Sequence, residues 1–460
     1  MSARKAPRPV TRRDFVRSSA VLTTAALGGP FIALSSVFGR NAPSNRITLG
    51  IIGCGNQSRI DIPGLLKNDN CQIVAVCDVN RASYGYRDPD QFFGREPQRE
   101  FVNRFYAEKT SRGSYKGCDI YTDFREILAR SDVDAVAIIT PDHWHAPMTV
   151  LAARAGKDIY CQKPLSLTVN DGRDMVEAVR RHRRVLQTGS QWRSNAMIRQ
   201  ACELVRNGRI GKLQRVETYV MPNNVTGPGP GWKEMPIPDG FDYDRWLGPA
   251  PKAPYHLDRC LYRFRFISDY SGGQTTNYGA HSIGVAHWAM GADRSGPVEV
   301  EDLGAEFPVK GSLFNTATKI AFGVRYADGT VLECRTNPVN NLVTFYGTKG
   351  WLRIGRRGLE SEPATLKDST IGPNELRLPV SADHYRNFLD CVKSRQDPVE
   401  PVEAGHRTAS MCHLGNIAMT LHRKFKWDPV KEAVVDDAEV AKMLSRPMRA
   451  PWDYRSPGKA

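Results

Sequence analysis

The chain has 460 residues, of which 41% are hydrophobic and 25% are charged, and this size and composition allow two or three globular domains. Beyond the N-terminal region, no run of 18 or more apolar residues predicts a membrane-spanning helix. The formal net charge is +15, but part of it lies in the first forty residues and the rest is scattered, which argues against a nucleic-acid-binding surface. The ten cysteines form no CxxC pair, so a disulfide framework is not expected.

The first segment, residues 1–42, has the features of a targeting leader. Arg12 and Arg13 are followed by Asp14, Phe15, Val16 and Arg17, and a mildly apolar run then extends to residue 38. Twin arginines before such a run resemble a twin-arginine (Tat) export signal. The expected location is the periplasm, with membrane contact only during export or through an uncleaved leader. A disordered basic tail with an ordinary secretory signal is the alternative.

A buried strand and a glycine-rich turn begin the folded part. Residues 47–52 are apolar, and the sequence GCGNQS follows at 53–58. The first glycine permits a tight turn and the second lets the backbone approach a pyrophosphate, with Ser58 in place of the usual third glycine. Pro63 and Gly64 suggest that the next helix starts late. The cofactor-binding residues predicted in this turn are Gly53, Gly55, Asn56, Gln57 and Ser58.

A second buried strand, residues 71–77, ends at Asp78. Asp78 follows Gly55 in the sequence at close to the separation expected of the acid that binds the ribose 2′-hydroxyl of a dinucleotide. An acid at this position repels a 2′-phosphate, so NAD is favoured over NADP, although Arg81 lies nearby. The alternative for Asp78 is a loop cap.

Strands and helices alternate through the first half of the chain. After an unusual segment at 84–119, interpreted as an insertion, apolar strands end near Thr140, Lys163 and Gln191, with helices between them. This alternation predicts an α/β Rossmann domain at 45–195, built on a doubly wound parallel sheet. Ligands bind such sheets at the carboxyl ends of the strands, where these residues and Gly53 and Asp78 fall.

Three motifs resemble the glucose-fructose oxidoreductase/inositol dehydrogenase/MocA (Gfo/Idh/MocA) family. They are TPDHWHA at 140–146, QKPL at 162–165, and GG at 272–273 followed by His281 and Trp288. The resemblance extends from residue 47 to 454. It implies a nicotinamide-dependent oxidoreductase that acts on a sugar, cyclitol or sugar derivative. Because the leader predicts export, where no soluble nicotinamide pool recycles the cofactor, the enzyme would have to hold its cofactor tightly. Further cofactor contacts are expected from Thr140, Pro141, His143, His145, Gln162, Lys163 and Gln191.

The resemblance implies a catalytic role for Lys163. The family's Glu-Lys-Pro motif is Gln162-Lys163-Pro164 in this chain, and the family's lysine lies near the nicotinamide and the substrate. A lysine at a strand end beside a ligand cleft suits proton transfer or orientation of a sugar hydroxyl. A surface lysine before a turn proline is the alternative.

A second catalytic group is expected around His281. The family commonly has Asp, then His four residues later, then Asp three further on, and here these positions are Asn277, His281 and Gly284. On a helix the spacing of four places Asn277 and His281 on one face. His281 would act as general acid or base and Asn277 would orient it. A core histidine is the alternative.

The remaining site predictions concern substrate and metal. The sugar is expected to contact Trp192, Arg193, Arg265 and Tyr278 by stacking and hydrogen bonding, although these side chains could equally be packing. His143 and His145 form a spaced pair without a clear third ligand, so no metal is predicted.

Residues 196–460 are predicted to form a substrate-binding α+β domain. Longer alternating strands indicate a large, mostly antiparallel sheet, with a hairpin at Asp328-Gly329. Helices are expected at 384–394 and 405–425, and a C-terminal tail follows. The resemblance implies that the open face of this sheet forms a homo-oligomer.

The sequence is also compatible with two other functions. The stretch from Tyr278 to His281 resembles that of the family's NAD-dependent N-acetylgalactosaminidases, which would oxidise a sugar transiently, eliminate the aglycone and reduce it again. A non-catalytic sugar- or cofactor-binding protein is the third possibility, because two acids of the family pattern are missing.

Overall fold

The computed structural model describes residues 45–110, 113–337, 341–355 and 357–455. The predicted leader at 1–42 lies outside the described residues. Within the described ranges, no helix is both long and apolar enough to cross a membrane. All ten cysteines are buried free thiols.

The N-terminal half forms a six-stranded parallel sheet with the order β3-β2-β1-β4-β5-β6. This order is that of a dinucleotide-binding Rossmann sheet, which confirms the predicted fold. The strands are β1 (Ile47–Ile52), β2 (Cys71–Cys77), β3 (Asp119–Tyr121), β4 (Ala135–Ile138), β5 (Asp158–Cys161) and β6 (Leu186–Thr188).

Helices cover both faces of this sheet. Because side chains alternate along a strand, Ile52 and Ile138 pack into one apolar cluster, whereas Ile51 and Ala137 pack into another on the opposite face. Burial on both faces explains why the strands are continuous apolar runs in the sequence. The helices of this half are α1 (Ser58–Leu66), α2 (Arg95–Thr110), α3 (Phe124–Ala129), α4 (His145–Arg154) and α5 (Val169–Arg181). Helix α6 (Ala196–Arg206) follows, and its buried face packs in the core of the C-terminal half.

Helix α1 begins directly at Ser58, so the expected late start is wrong. Pro63 lies inside the helix, and its carbonyl still accepts a hydrogen bond from the Lys67 N–H at 3.2 Å. Gly64 is required by packing, since a Cβ added there would lie 2.2 Å from Cε2 of Tyr385. The glycine that weakens the helix locally therefore allows an aromatic ring from the C-terminal half to pack against it.

The C-terminal half contains a nine-stranded sheet with the order β13-β12-β11-β7-β10-β9-β8-β14-β15. Its pairs are antiparallel except for β7 and β10, which run parallel. The strands are β7 (Leu213–Val220), β8 (Glu299–Asp302), β9 (Ala321–Arg325), β10 (Val331–Thr336), β11 (Asn341–Gly347), β12 (Gly350–Gly355), β13 (Gly358–Glu362), β14 (Phe425–Asp428) and β15 (Ala433–Val435).

Helices pack on one face of this sheet around a large apolar cluster that includes Ile283, Phe322 and Phe345. The predicted hairpin at Asp328-Gly329 joins β9 to β10, where Gly329 has a φ of 90°. The remaining helices of the chain's described part are α7 (Tyr243–Leu247), α8 (Gly273–Asn277), α9 (Gly279–Met290), α10 (His384–Ser394), α11 (Val402–Leu421) and α12 (Ala438–Lys442). Of these, α9 and α11 contribute to the apolar cluster on the nine-stranded sheet. The predicted helix 405–425 instead ends at Leu421, and Phe425 begins β14.

Segments late in the chain return to the Rossmann half. Phe388 and Leu389 of α10 belong to the same apolar cluster as β1 and β2, and Tyr454 packs in the cluster on the other face. Residues from both sides of the boundary expected between 195 and 196 therefore contribute to the apolar clusters of the parallel sheet.

Candidate active site

A cleft with a volume of about 370 Å³ opens at the carboxyl ends of the parallel strands and is closed on the other side by α8 and α9. Thirteen of the residues predicted for cofactor, substrate or catalysis line it together. They are Gly53, Gly55, Asn56, Gln57, Asp78, Thr140, Pro141, Gln162, Lys163, Arg265, Asn277, Tyr278 and His281.

The β1–α1 turn is built for close contact with a ligand. Gly53 has a φ of 99°, and a Cβ there would lie 2.5 Å from the Ile139 carbonyl oxygen. A Cβ at Gly55 would lie 3.0 Å from the Tyr86 ring, and the buried Asn56 Oδ1 has no hydrogen-bond partner in the described part of the chain. Bare backbone before the N-terminus of a helix suits a pyrophosphate, so these residues fit a dinucleotide.

Asp78 is held rigidly beside this turn. Its Oδ2 accepts a hydrogen bond from the Cys54 N–H at 2.6 Å, and its Oδ1 accepts one from the Asn80 N–H at 2.8 Å. Burial raises the pKa of Asp78. The carboxylate therefore has a fixed orientation at the edge of the cleft where a ribose would bind.

Four predicted cofactor residues support the walls of the cleft instead of lining it. Ser58 Oγ donates to the Gly55 carbonyl at 2.6 Å, which closes the turn. His143 Nε2 lies 2.9 Å from the Trp246 carbonyl oxygen, and the two ring nitrogens of His145 lie 2.8 and 3.0 Å from the carbonyl oxygens of Pro164 and Thr140. Gln191 donates to the Tyr160 hydroxyl at 3.2 Å.

The two buried histidines thus fasten loops together through backbone carbonyls, His145 with both ring nitrogens and His143 with Nε2. Among the described residues, no group of three or more His, Cys, Asp or Glu side chains is arranged to hold a metal ion.

Two predicted substrate residues also lie outside the cleft lining. Trp192 stacks behind His281 at a ring distance of 4.6 Å. Arg193 is 3% exposed, donates to Asp293 at 2.6 and 2.7 Å, and pairs with Glu400. Arg193 was expected to contact the sugar, but a buried guanidinium needs carboxylate partners. Those partners lie 100 and more residues away in the sequence, so no local pattern indicates them.

Lys163 projects into the cleft from the end of β5. Its Nζ donates to the Asn277 backbone carbonyl and to Asn277 Oδ1, both at 2.9 Å. Burial, followed by the nearby Arg265, lowers the pKa of Lys163 to about 8. The ammonium therefore exchanges its proton close to physiological pH, which suits a general acid or base.

His281 lines the cleft from the first turn of α9, close to Lys163. Burial, reinforced by the Lys163 charge, lowers the pKa of His281 well below its usual value. Its Nδ1 is buried and has no hydrogen-bond partner in the described ranges. The imidazole is therefore neutral and available to a ligand hydroxyl. Asn277 and His281 lie one turn apart, as their spacing predicts, although α8 ends and α9 begins between them.

Arg265 completes the inner end of the cleft. Its Nε donates to the Tyr262 carbonyl at 2.8 Å, its guanidinium lies 3.8 Å from the centre of the Tyr262 ring, and Nη1 donates to Asn277 Oδ1 at 3.2 Å. Burial lowers the pKa of Arg265. Asn277 is therefore the shared hydrogen-bond partner of two cationic side chains.

Asp61 is a residue of this site that the sequence did not reveal. This buried carboxylate on α1 accepts hydrogen bonds from Gln162 Nε2 at 2.8 Å and from the Tyr385 hydroxyl at 2.7 Å. Burial raises the pKa of Asp61 to about 6, and its charge acts on Lys163. No spacing rule could have found it, because Tyr385 is 324 residues away in the chain.

Residues 47–190 match the family model described as "Oxidoreductase family, NAD-binding Rossmann fold", and residues 229–454 match the C-terminal alpha/beta domain of the same family. The chain belongs to the Gfo/Idh/MocA oxidoreductase family.

Among curated Gfo/Idh/MocA relatives, a 1,5-anhydro-D-fructose reductase from Ensifer adhaerens is 40% identical over 91 residues, which are 20% of this chain and 27% of the relative. An alpha-N-acetylgalactosaminidase from Shewanella oneidensis is 26% identical over 223 residues, 44% of each chain. Both alignments span less than half of the relative. The fold resembles that of an aldose-aldose oxidoreductase from Caulobacter crescentus, with a TM-score of 0.56, 21% identity, and coverage of 83% of this chain and 99% of that one.

The structure shows what replaces the acids of the Gfo/Idh/MocA pattern. Gln162 donates a hydrogen bond to the Asp61 carboxylate, which therefore provides a negative charge near Lys163 from behind the Gln162 side chain. Asn277 keeps the hydrogen bond to Lys163 but brings no charge. Gly284 is buried in α9, where a Cβ would be in ordinary contact with Thr408 at 3.5 Å.

Proposed function

We propose that this protein transfers a hydride between a carbinol carbon of a sugar, cyclitol or sugar derivative and a tightly held nicotinamide cofactor. The observation that carries the proposal is the convergence of Lys163, Asn277 and His281 at the carboxyl edge of a dinucleotide-binding sheet. When bound, the nicotinamide supplies the hydride acceptor or donor.

The side chains divide the work according to their pKa values. Lys163, with a pKa near 8, exchanges the hydroxyl proton of the substrate, because a proton carrier works best when its pKa is near the working pH. The neutral His281 accepts a hydrogen bond from the same hydroxyl or an adjacent one. Asn277 holds the Lys163 amine in position, since an amide cannot itself titrate.

NAD is the proposed cofactor in preference to NADP. Asp78 lines the cleft where a 2′-phosphate would be repelled. The Arg81 side chain packs beside Gly240, where an added Cβ would lie 2.9 Å from Arg81 Nε, and Arg81 is not one of the residues that line the cleft.

The test is to purify the protein, denature it, and analyse the released nucleotide by absorbance and mass spectrometry. NAD at about one equivalent per chain is expected, together with sugar-dependent reduction of that NAD. A protein that neither carries nor takes up a nicotinamide nucleotide would contradict the proposal.

A redox-neutral glycosidase is the second candidate, favoured by the similarity to the alpha-N-acetylgalactosaminidase and by the position of Tyr278 beside His281 in the cleft. In that reaction a sugar hydroxyl is oxidised, the aglycone is eliminated, water adds, and the hydride returns to the sugar. Aryl glycosides separate the two candidates. Release of the phenol without accumulation of NADH supports the glycosidase, whereas accumulating NADH or a two-sugar dismutation supports the oxidoreductase.

We also propose Tat export to the periplasm, supported by the Arg12-Arg13 pair and the apolar run after it. Export of a folded protein fits a cofactor that is retained through every turnover. A fusion of residues 1–45 to a reporter should reach the periplasm, and replacing both arginines with lysine should retain it in the cytoplasm. Equal export of both fusions would contradict the Tat route.

A homo-oligomer formed through the nine-stranded sheet is proposed as the assembly. One face of β7 and β11 is covered by helices, and the other carries the half-buried Glu217, Tyr219 and Tyr346. The hydroxyls of Tyr219 and Tyr346 both donate to Glu217 Oε2, at 2.5 and 2.8 Å. Light scattering coupled to gel filtration tests this, and a monomer at working concentration would contradict it.

A further inference from the structure

Two cations in the active-site cleft share one neutral oxygen. Lys163 Nζ lies 2.9 Å and Arg265 Nη1 lies 3.2 Å from Asn277 Oδ1. No carboxylate oxygen in the described ranges lies within 4.0 Å of either cation, whereas Arg245, which also lines the cleft, pairs with Asp242 and Asp123. An amide oxygen satisfies hydrogen bonds but does not balance charge.

The two nearest acids are already engaged elsewhere. Asp142 Oδ2 accepts a hydrogen bond from Ser271 Oγ at 2.5 Å. Asp61 lies behind Gln162 and is bonded to Gln162 and Tyr385. Both raise the pKa of Lys163 at longer range, and Asp142, which lines the cleft, also raises that of Arg265, but neither acid forms an ion pair with either cation. The inner end of the cleft therefore presents positive charge to a ligand, and Arg87 at the cleft lining adds to it.

Arg265 is also pre-oriented to bind an anion. One edge of its guanidinium is fixed on the Tyr262 carbonyl and one face lies over the Tyr262 ring. A guanidinium held in this way loses little entropy when it binds a carboxylate, with which its planar fork matches in geometry.

We propose that the substrate is a sugar acid, a uronate or aldonate, whose carboxylate binds Arg265 and supplies the negative charge that Asn277 lacks, while Lys163 stays free to exchange the proton of the reacting hydroxyl. This inference rests on the proposed function, because it places the sugar in the same cleft. The carboxylate fixes one end of the sugar, so the carbinol that reacts lies between Lys163 and His281.

The experiment compares D-galacturonate and D-glucuronate with their methyl esters and with D-galactose and D-glucose, using the full chain loaded with NAD. Binding is measured by calorimetry, and turnover by NADH absorbance. The acids should bind at least about tenfold more tightly than the esters, because a charge-assisted bidentate contact exceeds a neutral hydrogen bond by about 1.4 kcal/mol or more. The advantage should shrink as salt concentration increases.

Three variants locate the effect. Arg265→Gln should abolish the preference for the acid over the ester, and Asn277→Asp should weaken binding of the acid about tenfold because its carboxylate already pairs with both cations. Arg263→Gln is the matched control: Arg263 lies two residues away, pairs with Asp258 and does not line the cleft, so this variant should keep the preference.

The outcomes separate the two proposals. If the protein binds NAD but binds neither acid more tightly than the corresponding ester, the sugar-acid inference is overturned while the oxidoreductase proposal stands. The same holds if it binds neither the acids nor the esters. If galactose 6-phosphate binds and both uronates do not, the carboxylate assignment is also overturned. If the protein carries and takes up no nicotinamide nucleotide, the proposed function itself fails.

Discussion

Charge at the level of single residues explains why Lys163 is poised for proton transfer. A lysine in water stays protonated well above pH 8, but burial and the Arg265 charge lower the pKa of Lys163 to about 8. The Asn277 amide fixes the position of the amine without restoring its usual pKa, which an aspartate there would do through its charge.

The first prediction concerns the pH dependence of sugar oxidation. The neutral amine is the form that accepts a proton, and it becomes the major form as pH rises through about 8. We expect kcat/KM to rise across that range and then level off. Lys163→Ala should lower kcat by about 10²-fold or more and remove the rising limb, while NAD stays bound. A variant that keeps near-normal activity and the same pH profile would show that Lys163 carries no proton.

The second prediction tests whether the charge of Asp61 sets the pKa of Lys163. The Asp61 charge raises the pKa of Lys163, so Asp61→Asn should lower that pKa and move the rising limb of kcat/KM to lower pH. Tyr385→Phe should move the limb in the same direction by less, because losing its hydrogen bond raises the pKa of Asp61 but leaves the carboxyl group in place. An Asp61→Asn profile that coincides with the wild-type profile would limit Asp61 to packing.

At the level of elements, sequence patterns located the strands well and the packing between distant segments poorly. Strands β1, β2, β4 and β5 are mostly apolar because both faces are buried, and the ends of β2 and β5 therefore predicted the positions of Asp78 and Lys163 in one cleft. The short edge strand β3, whose residues are exposed or half-buried, was not predicted. The start of α1 was misjudged, because propensity treats Pro63 and Gly64 as helix breakers while the Tyr385 ring needs Gly64. Such a contact joins residues too far apart for any local pattern to show.

The third prediction uses two helix glycines as a matched pair. Gly64→Ala forces a Cβ to within 2.2 Å of the Tyr385 ring, and overpacking of this kind costs about 1–3 kcal/mol in the free energy of unfolding. Gly284→Ala in α9 meets Thr408 at 3.5 Å, so the gain in helix propensity, up to about 1 kcal/mol, should be retained. Urea unfolding measures both. Equal destabilisation by the two substitutions would contradict the role assigned to the Tyr385 contact.

At the level of the whole molecule, a buried charge network joins the Rossmann half to the C-terminal half. Arg193 follows the last parallel strand, Asp293 follows α9, and Glu400 precedes α11 while its carbonyl accepts a hydrogen bond from the Thr188 N–H at 3.0 Å. Burial raises the pKa of Glu400 to about 8 even beside Arg193. The sequence suggested a substrate role for Arg193 because it adjoins a strand end, and its partners became visible only in three dimensions.

The fourth prediction decides between those two roles. Arg193→Met leaves the buried Glu400 and the partly exposed Asp293 without their cation, which costs up to about 3–5 kcal/mol in the free energy of unfolding. Glu400→Gln should cost less, because Asp293 still pairs with Arg193. Urea unfolding, with KM for the sugar measured below the transition, distinguishes the outcomes. A large loss of stability with an unchanged KM assigns Arg193 to the joint between the two halves. An increased KM with wild-type stability would instead return Arg193 to the substrate site, since a side chain that contacts only the sugar contributes to binding and not to folding.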